Sequence, residues 1–173
     1  MKRTSFLGFS MVEMLVILAI IVGLAGVVVP IVSQEVQDSR RAAAMDDLNR
    51  LATGLNQYIK DTLFYPTGKE GAARYDYLYT DGPLPSAAEF VRGKGIHVEA
   101  FLCKPDFGGS RWKGPYIRDV TTDPWGHAYL VNVRGFFDPG ERAMILSAGP
   151  NGLVETSPRA SQPGGDDLML LFD

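Results

Sequence analysis

The chain has 173 residues, 46% of them hydrophobic, and a formal net charge of −3 from 17 Lys and Arg against 20 Asp and Glu. That length holds one small domain plus an appended segment, by the usual prior of about 100–200 residues per domain. With no basic block beyond Lys2-Arg3 and Arg40-Arg41, an electrostatic nucleic-acid footprint is excluded, and the lone Cys103 excludes an intrachain disulfide.

Residues 1–8 carry Lys2 and Arg3, no acid, and end in a small residue, Gly8. Phe9-Ser10-Met11-Val12-Glu13 then leads into an apolar run from Met14 to Val32, interrupted by Pro30. About 20 apolar residues cross a bilayer, so the run is long enough to span one. Three readings are open. A secretory signal would be cut after the apolar region, where Val27-Val28-Val29-Pro30 is a poor site. A plain single-span anchor fits the length but leaves Glu13 unexplained. A leader cut on the cytoplasmic side, before the apolar segment, uses both Gly8 and Glu13. A charge inside a spanning helix costs roughly 2.5–3.5 kcal/mol on insertion scales, which marks Glu13 as functional. Lys2 and Arg3 favour a cytoplasmic N-terminus against a mild opposing bias from Arg40 and Arg41, placing the bulk of the chain outside.

The helix is expected to continue past the span. Leu48, Leu51, Ala52, Leu55, Tyr58 and Ile59 recur at three- and four-residue spacings. Glu35, Asp38, Arg40, Arg41, Asp46, Asp47 and Arg50 occupy the more polar faces. One helix from Phe9 to about Lys60 would be roughly 78 Å long at 1.5 Å per residue. Pro30 should kink or locally open it, while Gly23 and Gly26 add slack or permit close helix approach. Phe64-Tyr65-Pro66-Thr67-Gly68 ends the pattern.

Residues 69–111 are punctuated by Gly and Pro but too long for a bare loop. Within them Ser86-Ala87-Ala88-Glu89 has capping-box spacing and predicts a short helix through Phe90 and Val91, closed by Gly93 and Gly95. Strands are predicted at 128–134, 143–147 and 168–172. In the first of these Tyr129, Val131 and Val133 share one face. The expected fold is α+β: a long N-terminal helix, its first half membrane-spanning, packed on a small antiparallel sheet of three to four strands. The divisions are 1–8, 9–32, 33–62 and 63–173. His97 and His127 lack metal-ligand spacing with each other or with Cys103, and both read as structural. Cys103 reads as a small buried hydrophobe. No Ser/His/Asp set, phosphate loop or paired catalytic carboxylates stands out, so no enzymatic activity is expected.

At its N-terminus the chain resembles the type IV pilin and pseudopilin superfamily. Gly8 matches the residue before the leader cut, Phe9 the new N-terminus, Glu13 the fifth mature residue and Pro30 the helix-bending proline. Further on, Trp112-Lys113-Gly114-Pro115-Tyr116 and Asp123-Pro124-Trp125-Gly126 followed by Tyr129 resemble the type II secretion major pseudopilin family (general secretion pathway protein G). Tyr65-Pro66-Thr67 is similar to the tripeptide that ends that family's helix. Asp-Pro-Trp-Gly reads as a turn that drives its aromatic into the core. Type IV pilins proper commonly close their C-terminal region with a disulfide, which the lone Cys103 cannot form.

The resemblance implies an inner-membrane precursor with a cytoplasmic N-terminus and a periplasmic globular domain. It implies cleavage after Gly8 by a prepilin peptidase and N-methylation of Phe9. It also implies assembly by an inner-membrane platform and its ATPase, with minor pseudopilins, into a periplasmic homopolymer in which Glu13 sets register. A calcium ion is implied in the loop before the last strand. Asn151, Asp166 and Asp167 would supply side-chain oxygens there, and carbonyls near Ala148, Gly164 and Leu170 would complete the shell. Two features depart from the family pattern: Asn151 stands where an Asp is expected, and the stretch from Leu153 to Pro163 is longer than usual. The alternatives are a type IV pilin of a surface filament for adhesion, motility or DNA uptake, and a single-span anchored periplasmic binding domain.

Overall fold

The computed structural model describes residues 9–68, 74–87 and 89–172. The chain forms two compact units, the first ending at Ser39 and the second running from Arg40 to Asp173. Helix α1 (Met11–Thr62) begins in the first unit and ends in the second. Ser10 opens it: its Oγ accepts from the Val12 N–H at 3.4 Å and its carbonyl from the Met14 N–H at 3.1 Å. A serine before the first turn satisfies donors that would otherwise lack an intrahelical partner. Through Pro30 the backbone stays helical. In the first unit Leu15, Ile21 and Leu24 are all more than half exposed, and the most apolar stretch is uncovered by the chain itself.

In the second unit α1 buries Leu48, Leu51, Ala52, Leu55 and Tyr58 of the predicted stripe and half-buries Ile59, and it buries Ala44 as well. Leu48, Leu51, Ala52, Leu55 and Tyr58 join Val131, Val133, Ile145, Phe101, Leu102 and Ile117 in one core. Gly54 permits a close approach, because a Cβ there would lie 2.9 Å from Ile117 Cγ2. The first residue past the helix, Leu63, has φ 62°, a left-handed conformation that costs a non-glycine residue roughly 1–2 kcal/mol.

The sheet has five strands in the order β2-β1-β3-β4-β5: β1 Tyr77–Tyr79, β2 Gly95–His97, β3 Leu130–Asn132, β4 Met144–Ser147 and β5 Leu168–Leu171. β3, β4 and β5 occupy the predicted segments. β1 and β2 add a parallel pair drawn from the long middle segment, registering Tyr77 with Gly95 and Leu78 with Ile96. The other ladders are antiparallel. Tyr129, Val131 and Val133 face α1 as predicted, whereas Leu130 faces a second core with Tyr77, Phe90, Met144 and Leu146. Both faces of β3 and β4 are therefore buried.

The predicted helix at Ser86–Val91 does not form. Ser86 pairs with Leu153 as an isolated bridge, its N–H donating to the Gly152 carbonyl and its own carbonyl accepting from Val154. The next residues close a single turn, with Phe90 and Val91 both donating to the Ala87 carbonyl. Backbone pairing with a distant segment outweighs local capping, and the turn delivers Phe90 to the outer core. Helix α2 forms instead at Glu99–Leu102.

One polar contact pins α1 to the sheet. The Tyr129 hydroxyl donates to Asp47 Oδ2 at 3.1 Å. Burial, aided by the Asp47 carboxylate, pushes this phenol well above its usual range, so it stays a neutral donor. Tyr129→Phe should cost about 1 kcal/mol, and Leu55→Ala, fully buried in the stripe, about 2–5 kcal/mol. Urea unfolding of the detergent-solubilised chain reads both; similar losses for the two would refute the stripe as the main source of stability.

Candidate functional site

Two regions carry residues beyond packing: the start of α1, and the loop between β4 and β5 with the turn that supports it. Phe9 and Ser10 precede α1, Phe9 is mostly exposed, and Glu13 lies exposed in the first helical turn. Gly8 lies outside the described residues.

The support for the second region is Asp123, only 3% exposed. A buried carboxylate is costly unless hydrogen-bonded. Here Oδ1 accepts from the Trp125 N–H at 3.0 Å and the His127 N–H at 2.8 Å, and Oδ2 accepts from Ser147 Oγ at 2.7 Å. Proline at 124 and glycine at 126 (φ 94°) set the turn that aims these donors. The expected anchor was Trp125, but that residue is only partly buried; the buried member of the turn is its aspartate. Ser147 Oγ also accepts from the Gly149 N–H at 3.2 Å, which ties the turn to the start of the next loop.

That loop gathers several of the residues predicted to bind calcium. Gly149 (φ 61°) packs against Asp166, whose carbonyl oxygen a Cβ would meet at 2.5 Å. The Asn151 N–H donates to Asp166 Oδ2 at 3.2 Å. Asp167 is 4% exposed. Its Oδ2 accepts from the Glu155 N–H at 2.9 Å, the Thr156 N–H at 2.7 Å and Thr156 Oγ1 at 2.6 Å. Burial pushes the Asp167 carboxyl upward, hydrogen bonds from Thr156 and Glu155 oppose that, and Asp166 adds to it. The remaining oxygens, Asp166 Oδ1 and Asp167 Oδ1, are buried with no hydrogen-bond partner.

The other predicted ligands are placed less directly. Ala148 is buried at the loop entrance. The Gly164 carbonyl accepts from the Asp167 N–H at 3.1 Å, and Leu170 lies within β5 opposite Ile145. The Asn151 side chain is occupied: Oδ1 accepts from the Leu153 N–H at 2.7 Å, and Nδ2 donates to Glu155 Oε2 at 3.2 Å. Among the described residues no three His, Cys, Asp or Glu side chains converge as a ready-made metal group. Sequence reasoning missed Glu155 and Thr156, although an acid four residues past Asn151 was the available signal.

The remaining candidates are structural. His97 pairs through Nε2 with Asp81 Oδ1 at 3.0 Å, and His127 packs its Nε2 side against Gly152. Cys103 is half-buried, and burial pushes its thiol up, away from a reactive thiolate. The Trp112–Tyr116 motif braces the end of α1. Trp112 Nε1 donates to the Phe101 carbonyl at 2.9 Å, and the Tyr116 ring meets Tyr58 edge-on at 6.0 Å.

The match to known proteins falls on these same elements. The family described as type II secretion system (T2SS), protein G matches residues 95–162, from β2 through the Asp123 turn and the Asn151–Gly152 turn. Over that stretch the chain is similar to the type II secretion system protein G family. The type II secretion system core protein G of Escherichia coli (strain K12) is 28% identical over 151 residues, covering 86% of this chain and 85% of that protein. The Klebsiella pneumoniae protein of the same name is 28% identical over 87% of this chain and 89% of its own length. For the Klebsiella michiganensis protein the figures are 27%, 96% and 93%. No solved structure matches. All three relatives are named as core proteins of type II secretion systems.

Asp123→Ala should strand several buried or half-buried donors at once. Each unsatisfied group costs about 1–3 kcal/mol, so a loss of several kcal/mol is expected. Asp123→Asn, which keeps an acceptor, should lose less. Thermal melts of the two variants side by side give the comparison, and equal losses would show that hydrogen bonding is not what Asp123 contributes.

Proposed function

We propose that the chain is the major subunit of a type II secretion pseudopilus that drives export of folded proteins. The observation that carries this reading is the uncovered apolar helix of the first unit with Glu13 in its first turn, in a chain whose residues 95–162 match the protein G family. In this reading the precursor sits in the bacterial inner membrane, N-terminus cytoplasmic and globular unit periplasmic. A prepilin peptidase cuts after Gly8 and methylates Phe9. An assembly platform and its ATPase then extract subunits, with minor pseudopilins, into a helical homopolymer. Glu13 pairs there with the Phe9 amine of a neighbouring copy, and a buried ion pair of this kind is best suited to fixing register.

The loop between β4 and β5 supports a structural calcium site within this reading. Asp166 Oδ1 and Asp167 Oδ1 are buried carboxyl oxygens without a hydrogen-bond partner, the condition a hard cation relieves through oxygen ligands. Asp166 and Asp167 would hold the ion, with carbonyls of the 148–151 turn and of Gly164 as further donors. Calcium, when bound, would neutralise the two adjoining carboxylates and cross-link β4 to β5.

Deleting the gene in its host should trap folded exoproteins in the periplasm while surface filaments and motility persist. Normal export with lost filaments would instead identify a pilin. Glu13→Ala should insert in the membrane normally yet assemble poorly; filaments at parental yield would contradict the register role. Asp166→Asn is the cleaner test of calcium, since Asp167 also holds Thr156. Its melting temperature in chelator should equal the parent's, and the rise on adding calcium should be lost.

A further inference from the structure

The stretch from Leu153 to Pro163 brings a further carboxylate, Glu155, to the loop that holds Asp166 and Asp167. Glu155 is held there at three points. Its N–H donates to Asp167 Oδ2 at 2.9 Å, and its Oε2 accepts from Asn151 Nδ2 at 3.2 Å. Its carboxylate also lies against Gly165 (φ 53°), where a Cβ would coincide with it. Gly165 immediately precedes Asp166, so the carboxylate sits at the edge of the region holding the two unpartnered oxygens.

Asn151 is what makes this placement possible. Its backbone N–H donates to Asp166 Oδ2 at 3.2 Å, while its side-chain amide donates to Glu155. One residue thus holds two acids, one through its backbone and one through its side chain. An aspartate at 151 has no side-chain N–H to donate, and its charge would oppose that of Glu155.

We propose that Glu155, positioned by Asn151, supplies the third negative charge of the cation loop, so that an Asn–Glu pair replaces a single aspartate. This rests on the calcium reading above. No three acidic side chains converge among the described residues, so Glu155 acts as a charge at the rim of the site rather than as an inner ligand. Cation affinity follows charge count and site rigidity, and the pair preserves the first while Asn151 supplies the second.

The test is calorimetric titration of the full chain in detergent, stripped with chelator, with calcium as the only probe. Outer partners of a metal site typically contribute 10–100-fold in affinity, so Glu155→Gln should weaken binding about ten-fold or more. Moving the charge back, as Asn151→Asp together with Glu155→Gln, should return affinity to within a few-fold of the parent. A purely structural role for Glu155 would not be rescued by that move, so an unrescued loss overturns the proposal. Parental affinity in Glu155→Gln overturns it as well. Should Glu155→Gln melt early in chelator, Glu155→Ala melting equally early with calcium affinity intact would also overturn it. If the parent binds no calcium, the calcium reading itself falls, and this inference falls with it.

Discussion

The apolar stripe of α1 from Ala44 to Tyr58 has to be covered, and most of the second unit is arranged by that need. A helix with a wide apolar face is stable only against a matching surface. β3 and β4 present Val131, Val133 and Ile145 to it, and α2 brings Phe101 and Leu102. A sheet of three- and four-residue strands has little stability by itself. The helix therefore supports the sheet as much as the sheet covers the helix. The Trp112–Tyr116 segment closes the end of this contact, with Tyr58 edge-on to both Phe101 and Tyr116.

A second constraint fixes the loop beyond β4. Asp123 is buried and gathers donors from its own turn and from Ser147. Ser147 passes the constraint to Gly149, and Gly149 packs on Asp166. The polar loop is thus held from the inside by a hydrogen-bond chain rather than by apolar burial. The stretch from Leu153 to Pro163 is held against the acid pair in the same way: Thr156 and Glu155 fold back onto Asp167.

Periodicity carried much of this into the sequence. The α1 stripe and the alternation of Tyr129, Val131 and Val133 are visible because each runs over several repeats of its own period. β1 and β2 are not visible, since three residues show no period and their partners are distant in the chain. Ser86 misled because its capping-box spacing is a local signal, whereas its backbone pairs with Leu153. Trp125 misled for a related reason: hydrophobic size suggested burial, but the turn's geometry turns the aspartate inward. At the candidate site, Asp166 and Asp167 were legible as an acid pair next to glycines. The involvement of Glu155 was not, because it depends on how a long loop returns.

The two units face opposite demands, and in the proposed assembly this difference gives extraction its direction. Apolar helices gain little by leaving lipid for one another, since lipid tails are as apolar as leucine. Matching of Leu15, Ile21 and Leu24 to a neighbour therefore cannot by itself favour a filament over the membrane. A carboxylate can. In lipid Glu13 has no partner and carries the full cost of its burial, whereas beside another copy the amine of Phe9 is available to it. The residue that most weakens the membrane-inserted state is then the one that most favours the assembled state. Because such a pair forms only where the amine and carboxylate meet, it also selects one axial offset among the many that apolar packing alone would tolerate.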